Sequence, residues 1–323
     1  MEHIQRRPKV GFVTILRYPG GKRKIFPFFR DLIEYNRLVG AHYVEPFAGG
    51  AGLALSLLIS GCVKTIHLND LDVAVYTLWK VVLEETGELC RRIEETPVDV
   101  ATWRRQREVV EHPERHPEVN VAFAALFLNR TNRSGILRGG IIGGKEQTGK
   151  WKMDARFNKE ELIRRIRRIA EYKDRIRIYR QEAVCFLQDL FWRIPPSEKC
   201  LVYADPPYYT KGHTVYHNHY QAEDHYRLAQ TMRSLPWPWV VSYDDVEAVY
   251  ELYKGIPCLR YQLHYTAQTR RRRNEVMFLH GLALPPPENE EWWHPMHLPI
   301  PSAFIGSDRR APETMDFSAV PLS

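Results

Sequence analysis

Cysteine is scarce in this 323-residue chain: Cys62, Cys90, Cys185, Cys200 and Cys258 are odd in number, scattered, and form no C-x-x-C pair. That pattern excludes a disulfide framework and a cysteine-based zinc site, and it suits a reducing compartment. Long apolar runs are missing as well. The longest, near residues 53–59, is far too short to span a bilayer, so no membrane association is expected. Arg6-Arg7 and the short VGFVTIL resemble an export signal only superficially, because Arg17 follows and no small-residue cleavage site appears. His213, His217 and His219 lack the carboxylate–histidine helix pattern of a metal site and read as a polar loop. No internal repeat is visible. The expectation is a soluble, intracellular protein without a metal.

What the chain does have is a modest excess of basic charge, +7 with a pI of about 9.1, which favours a polyanionic partner without deciding on one. It also has an α/β rhythm with an interruption. A short strand at Tyr43 and Val44 ends at Glu45-Pro46, and a second at 63–68 ends at Asn69-Asp70. Five further strand candidates follow at 176–179, 201–203, 239–243, 261–265 and 276–279, with a helix over 224–235. Helix anchors Phe26, Phe29 and Ile33 precede the first strand. Residues 79–174 hold few strand-like runs and many Arg and Lys, and 160–173 reads as an amphipathic helix. The spacing predicts a doubly wound parallel sheet, residues 1–78 and 175–284, with a mainly helical insert over 79–174. Residues 285–323, opening on three prolines, read as a flexible tail.

Three motifs carry chemistry. In LVYADPPYYTKG a strand that is apolar on both faces stops at Asp205-Pro206-Pro207-Tyr208. Two prolines lock the backbone, so an acid, a carbonyl and an aromatic ring are held at the strand's carboxyl end, where ligands bind in open α/β sheets. In EPFAGGAG the glycines 49, 50 and 52 lie between strand and helix, where the backbone must turn tightly and can approach a ligand. Asp70 closes the next strand roughly 20 residues later, the distance at which such a unit sets an acid against ribose hydroxyls. A nucleoside-containing cofactor is the better reading; a turn needed only for packing is the alternative. By contrast GGIIGGK, 139–145, matches a phosphate-loop spacing but has Glu146 where a hydroxyl is required and no strand before it, so an NTPase is not expected. Arg270 to Arg273 form either a solvated hairpin tip or a phosphate contact.

Together these motifs resemble the Dam-type, α-class DNA N6-adenine methyltransferases over about residues 14–281. LRYPGGK looks like the family's opening cofactor motif, EPFAGGAG its glycine loop, NDLD its ribose motif, FLNRTNRSGIL the core of its DNA-recognition insert, ADPPYY its catalytic motif and HYTAQTRRRRNEVMF its closing hairpin. Tyr18 stands where many members carry Trp, and the tail falls outside the likeness. Relatives that methylate cytosine N4 carry Ser at the Asp205 position, and those acting on RNA or protein amines usually carry Asn. Asp therefore favours adenine.

The resemblance implies a Rossmann-like fold and S-adenosyl-L-methionine as methyl donor. On the cofactor side it implies Tyr18, Lys22 at the cofactor's carboxylate, Glu45, Phe47 and Gly49 along its methionine part, Asp70 at the ribose, and Asp205. Glu182 would orient the adenine or is simply a solvated loop acid. Asp205 and the Pro206 carbonyl would grip the target amine, Pro207 would add rigidity, and Tyr208 would stack on a base flipped out of the duplex. In the insert, Arg130, Arg133, Arg138 and Lys145 would meet phosphates, while Asn129 and Asn132 could reach base edges or pin the loop. Double-stranded DNA is the expected partner, a cognate restriction endonuclease a candidate one, and a monomer in the cytoplasm, associated with the nucleoid, the expected state.

Overall fold

The computed structural model describes residues 13–17, 22–209, 220–264 and 272–286. Seven strands form one sheet: β1 Ala41–Glu45, β2 Val63–Asn69, β3 Ile176–Tyr179, β4 Cys200–Ala204, β5 Trp239–Asp244, β6 Cys258–His264 and β7 Arg272–His280. Their order is β3-β2-β1-β4-β5-β7-β6, parallel except for β7, which runs antiparallel between β5 and β6. This is the Rossmann-like topology expected of the sequence, closed by a hairpin.

The order reverses between β1 and β4. Those two strands are neighbours, pairing Tyr43 with Leu201 and Val44 with Val202, yet their following connections leave to opposite sides. A crevice therefore opens at their carboxyl ends, and Glu45 and Asp205 are the residues that stand there. The two-residue period of the strands divides the core into two layers. Tyr43, Leu201 and Tyr203 join one apolar cluster, whereas Val44, Val202 and Ala204 join the other. Helices Ala183–Gln188, Ala222–Ser234 and Glu247–Leu252 supply Val184, Leu228 and Val249 to the second cluster.

The first cluster continues without a break into the segment between β2 and β3, which holds helices and turns with one isolated bridge and no strand. Counted from the chain start, α1 is Phe26–Tyr35 and α2 is Gly52–Ile59. The segment itself carries α3 Val73–Glu84, α4 Thr86–Glu95, α5 Val100–Glu111, α6 Glu118–Thr131 and α7 Lys159–Ala170. Helix α3 starts on a clear cap, Asp72 accepting from the Ala74 and Val75 amides, and runs straight through position 78. No linker divides sheet from insert there. Helix α6 is buried on all sides from Val121 to Thr131, as a helix with an apolar surface all round must be. Among the described residues, no helix is long and apolar enough to cross a membrane.

Candidate active site

The acidic corner expected at the end of β4 is present, and it is the hub of a buried network. Ser242 Oγ on the neighbouring β5 donates to Asp205 Oδ1 at 2.7 Å. Because that spends the serine's one proton, the Tyr203 hydroxyl, 2.8 Å away, is the donor to Ser242. The Lys22 ammonium lies 3.1 Å from the same Asp205 oxygen and 2.7 Å from Glu275 Oε2. Glu275, on β7, is 1% exposed and also accepts from the Tyr261 hydroxyl at 2.5 Å and the Tyr208 hydroxyl at 3.1 Å. Tyr208 therefore has its ring aimed by a hydrogen bond at its far end. The Tyr209 amide is fixed by Asp244 Oδ1 at 2.8 Å, which pins the chain just beyond the prolines.

Burial opposes the charge on Lys22, but Asp205, Tyr261 and Glu275 outweigh it, and its pKa stands well above the ordinary lysine value. Burial and the nearby Glu275 push the Asp205 carboxyl upward, against the pull of Lys22. Sequence reasoning set Lys22 against a cofactor carboxylate; the structure directs its ammonium at Asp205 and Glu275 instead. It buries the amine between two of this chain's own acids.

The glycine loop at the end of β1 is held from several sides. Gly49 adopts φ 46°, and its N–H donates to Asp70 Oδ2 at 2.8 Å while its carbonyl accepts from Trp79 Nε1 at 2.9 Å. The Thr14 hydroxyl donates to the Gly50 carbonyl at 2.5 Å. Asn69, fully buried, ties three strand ends together, since its side chain donates to the Pro46 and Gln181 carbonyls and accepts from the Gln181 amide. Asp70 thus shapes the loop with one oxygen and accepts the Asp72 amide with the other at 3.0 Å. Burial, with Asp72 adding to it, lifts its pKa to about 7. Glu45 is 5% exposed, with the Tyr43 hydroxyl donating to it at 3.1 Å, and burial lifts its pKa to about 8. Two acids facing one crevice are therefore largely stripped of the water that would charge them.

Glu182 is not a solvated loop acid: it is partly buried and both of its oxygens are engaged. Its Oε2 caps the helix after β3 by accepting from the Val184 and Cys185 amides, and its Oε1 accepts from the Tyr220 hydroxyl at 3.0 Å. Tyr220 meets the Phe47 ring edge-on with centroids 5.6 Å apart. His225, 1% exposed and held neutral by burial with a pKa of about 4, packs against both Tyr209 and Tyr220 and pairs with the Tyr243 hydroxyl. One neutral histidine thus supports the ring wall behind Phe47 and Tyr209, the residue that follows Asp205-Pro206-Pro207-Tyr208.

The insert residues divide sharply. Arg133, Arg138 and Lys145 are exposed, as expected of phosphate contacts. Arg130, Asn129 and Asn132 are not: the expected phosphate contact by Arg130 is corrected here, and of the two roles open to Asn129 and Asn132, base edge or loop pin, their bonds to loop carbonyls fit the second. Arg130 is 8% exposed, its Nε donates to the Ile15 carbonyl at 2.7 Å, and burial lowers its pKa to about 9. Asn129 brackets Arg17, accepting its N–H at 2.7 Å and donating to its carbonyl at 2.8 Å. Asn132 accepts from Trp103 Nε1 and donates to the Ile136 and Leu137 carbonyls, so it pins the loop. The segment 139–145 is bend and turn around Ile141, which bridges to Asn132. Tyr18, Arg270, Arg271 and the histidines 213, 217 and 219 lie outside the described residues. Among the described residues no cluster of three or more His, Cys, Asp or Glu could hold a metal.

Sequence reasoning missed Glu275, Ser242, Asn69 and Tyr220. An acid and a hydroxyl inside strands that are otherwise buried and apolar are the signals that were available.

Two comparisons bear on this geometry. The family model described as D12 class N6 adenine-specific DNA methyltransferase matches residues 18–271. A solved structure from Pyrococcus horikoshii, described as a candidate RNA methyltransferase, is similar over 85% of this chain and 90% of its own, at 8% identity and a TM-score of 0.38.

Proposed function

The chain belongs to the D12 class N6 adenine-specific DNA methyltransferases, and from that premise we propose how its own residues perform adenine N6 methylation. The carrying observation is the arrangement around Asp205. Ser242 and Lys22 both bind Oδ1, and Oδ2 would be the oxygen that meets an incoming amine. Adenine's exocyclic nitrogen is a poor nucleophile because its lone pair is delocalised into the ring. Oδ2 of Asp205 and the Pro206 carbonyl each accept one N–H, which draws the nitrogen toward a tetrahedral shape with its lone pair turned away from the ring. The hydrogen bonds on Oδ1 keep the carboxylate from rotating, and near-attack geometry depends on such fixing. Tyr208 stacks on the base, its ring held in place by the bond to Glu275. The base reaches this crevice only after leaving the duplex.

The residues fit S-adenosyl-L-methionine as the donor. Glu45 is a buried acid and Asp70 a partly buried one, both with raised pKa values, partnered by a phenol and by backbone amides, with no cation paired to either among the described residues. A ligand that brings an ammonium and vicinal hydroxyls satisfies both. When bound, that cofactor supplies an electrophilic methyl on a sulfonium. Glu45 would hold its ammonium, Asp70 its ribose, and Phe47 with Tyr220 would flank it. Asp205 accepts the proton that the amine sheds as it gains the methyl. The exposed Arg133, Arg138 and Lys145 supply phosphate contacts for double-stranded DNA. One chain carries both the donor half and the DNA-facing loop, so the mechanism needs no second subunit.

The test is Asp205→Ala, assayed for N6-methyladenine by mass spectrometry of digested duplex DNA, with cofactor binding measured in parallel. Methyl transfer should vanish while binding persists. Retained transfer, or N4-methylcytosine as the wild-type product, overturns the mechanism.

A further inference from the structure

Glu275 is buried in the middle of the closing hairpin, where an apolar side chain would serve the strand equally well. Its neighbours Val276, Met277 and Phe278 are all buried, and β7 lies between β5 and β6. Lys22, Tyr261 and Tyr208 all donate to it, which suits an ionised carboxylate. A buried acid is costly unless something requires its charge. Lys22 does not need Glu275 for neutrality, because Asp205 already offers the opposite charge 3.1 Å away.

Counting the groups that face one another shows what Glu275 adds. Lys22 and Asp205 cancel. Tyr43, Tyr203 and Tyr261 are phenols held neutral, each pushed well above the ordinary tyrosine value by burial. Glu45, across the crevice, stays largely protonated below about pH 8 until a ligand binds, and a ligand ammonium that ionised it would also balance its charge. Among these groups the remaining charge is the one on Glu275. Building on the reading above, we propose that Glu275 is a specificity-determining residue that gives the reacting centre a net negative charge, so that it prefers a sulfonium donor to the neutral thioether product. The preference has a use in turnover: it helps the spent cofactor leave and a charged one replace it. It also favours the transition state, in which positive charge spreads from sulfur to the attacking nitrogen. A charge acting across one or two side-chain lengths inside a protein changes affinity by on the order of tenfold.

The experiment measures equilibrium binding of three ligands to the full-length protein by calorimetry. They are S-adenosylmethionine, S-adenosylhomocysteine, and sinefungin, whose amine stands in for the sulfonium. In Glu275→Gln the ratio of methionine-form to homocysteine-form affinity should fall about tenfold, sinefungin should follow the cationic ligand, and homocysteine-form binding should stay within about twofold. Glu275→Asp, which keeps the charge, should keep the wild-type ratio. A structural role alone would weaken all three ligands together, and that result overturns the proposal. Should Glu275→Gln fail to fold, Lys22→Gln removes the opposing charge and must move the ratio the other way; an unchanged ratio is again a refutation. The two levels of argument separate cleanly: a wild-type protein that binds none of the ligands sinks the mechanism, whereas normal binding with an unmoved ratio sinks only the role of Glu275.

Discussion

Glu45→Gln tests the electrostatics of the crevice without any assay of catalysis. The wild-type carboxyl is 5% exposed and burial raises its pKa to about 8, against about 4.5 for an ordinary glutamate. A carboxyl that binds its proton more tightly in the folded state stabilises the fold fully below its unfolded pKa, and the contribution is lost as pH rises through the folded one. Between about pH 5 and pH 8 the linkage amounts to roughly 3–4 kcal/mol of lost stability from this one group. Glutamine mimics the protonated acid, donates no proton, and carries no such dependence. Urea unfolding of both proteins at several pH values, without cofactor, should therefore show Glu45→Gln gaining on wild type by about 3 kcal/mol across that range. Saturating cofactor should reverse part of the gain, because an ammonium beside Glu45 favours its charged form. A stability difference that is constant with pH refutes the reasoning, since it would mean that Glu45 is ionised throughout.

Two further perturbations address the insert. A Cβ at Gly135 would sit 2.1 Å from the Arg17 carbonyl oxygen, and the residue's φ is +78°, so Gly135→Ala should destabilise the protein by about 2–4 kcal/mol in urea unfolding. An unchanged midpoint would show that residues 13–17 are not seated on the insert. Separately, Arg133→Ala, Arg138→Ala and Lys145→Ala should each lower the salt dependence of DNA binding by about one unit of slope. Arg130→Met should leave that slope alone and lower the melting temperature, and a slope change there would mean the guanidinium reaches DNA after all.

Much of the donor half is readable from sequence because its signals are local. A strand apolar on both faces that ends in two prolines can hardly be anything but a buried strand with a rigid corner. Glycines 49, 50 and 52, followed by Asp70 at the next strand end, announce a turn and an acid facing one crevice. Glu275 is harder. In the run NEVMF it looks, like Asn274 beside it, like a polar residue that an edge strand shows to solvent, and only the pairing of β7 between β5 and β6 buries it. Asn129, Arg130 and Asn132 mislead for a different reason. Polar residues beside Gly and Arg read as a surface loop, yet the partners of Asn129 and Arg130 are backbone groups more than 100 residues earlier. No window on the sequence contains both.

Those distant partners also bear on what the insert is. Residues 14–17 are grasped by three of its side chains: Arg165 donates to the Thr14 carbonyl at 3.0 Å, Arg130 to the Ile15 carbonyl, and Asn129 brackets Arg17. From the other side the Thr14 hydroxyl holds the Gly50 carbonyl of the glycine loop. The Ile15 and Gly50 carbonyls are shielded from water and the others partly so, so removing the partner of a shielded one would leave an unpaired polar atom at about 1–3 kcal/mol apiece. An unbroken apolar cluster from Val13 to Phe127 and Ile166 adds to that penalty. The helical segment therefore cannot be an independent reader attached to a finished catalytic unit. It holds the strip of chain that precedes Lys22, so a chain cut back to the sheet alone should lose the ammonium beside Asp205 along with the exposed Arg133, Arg138 and Lys145.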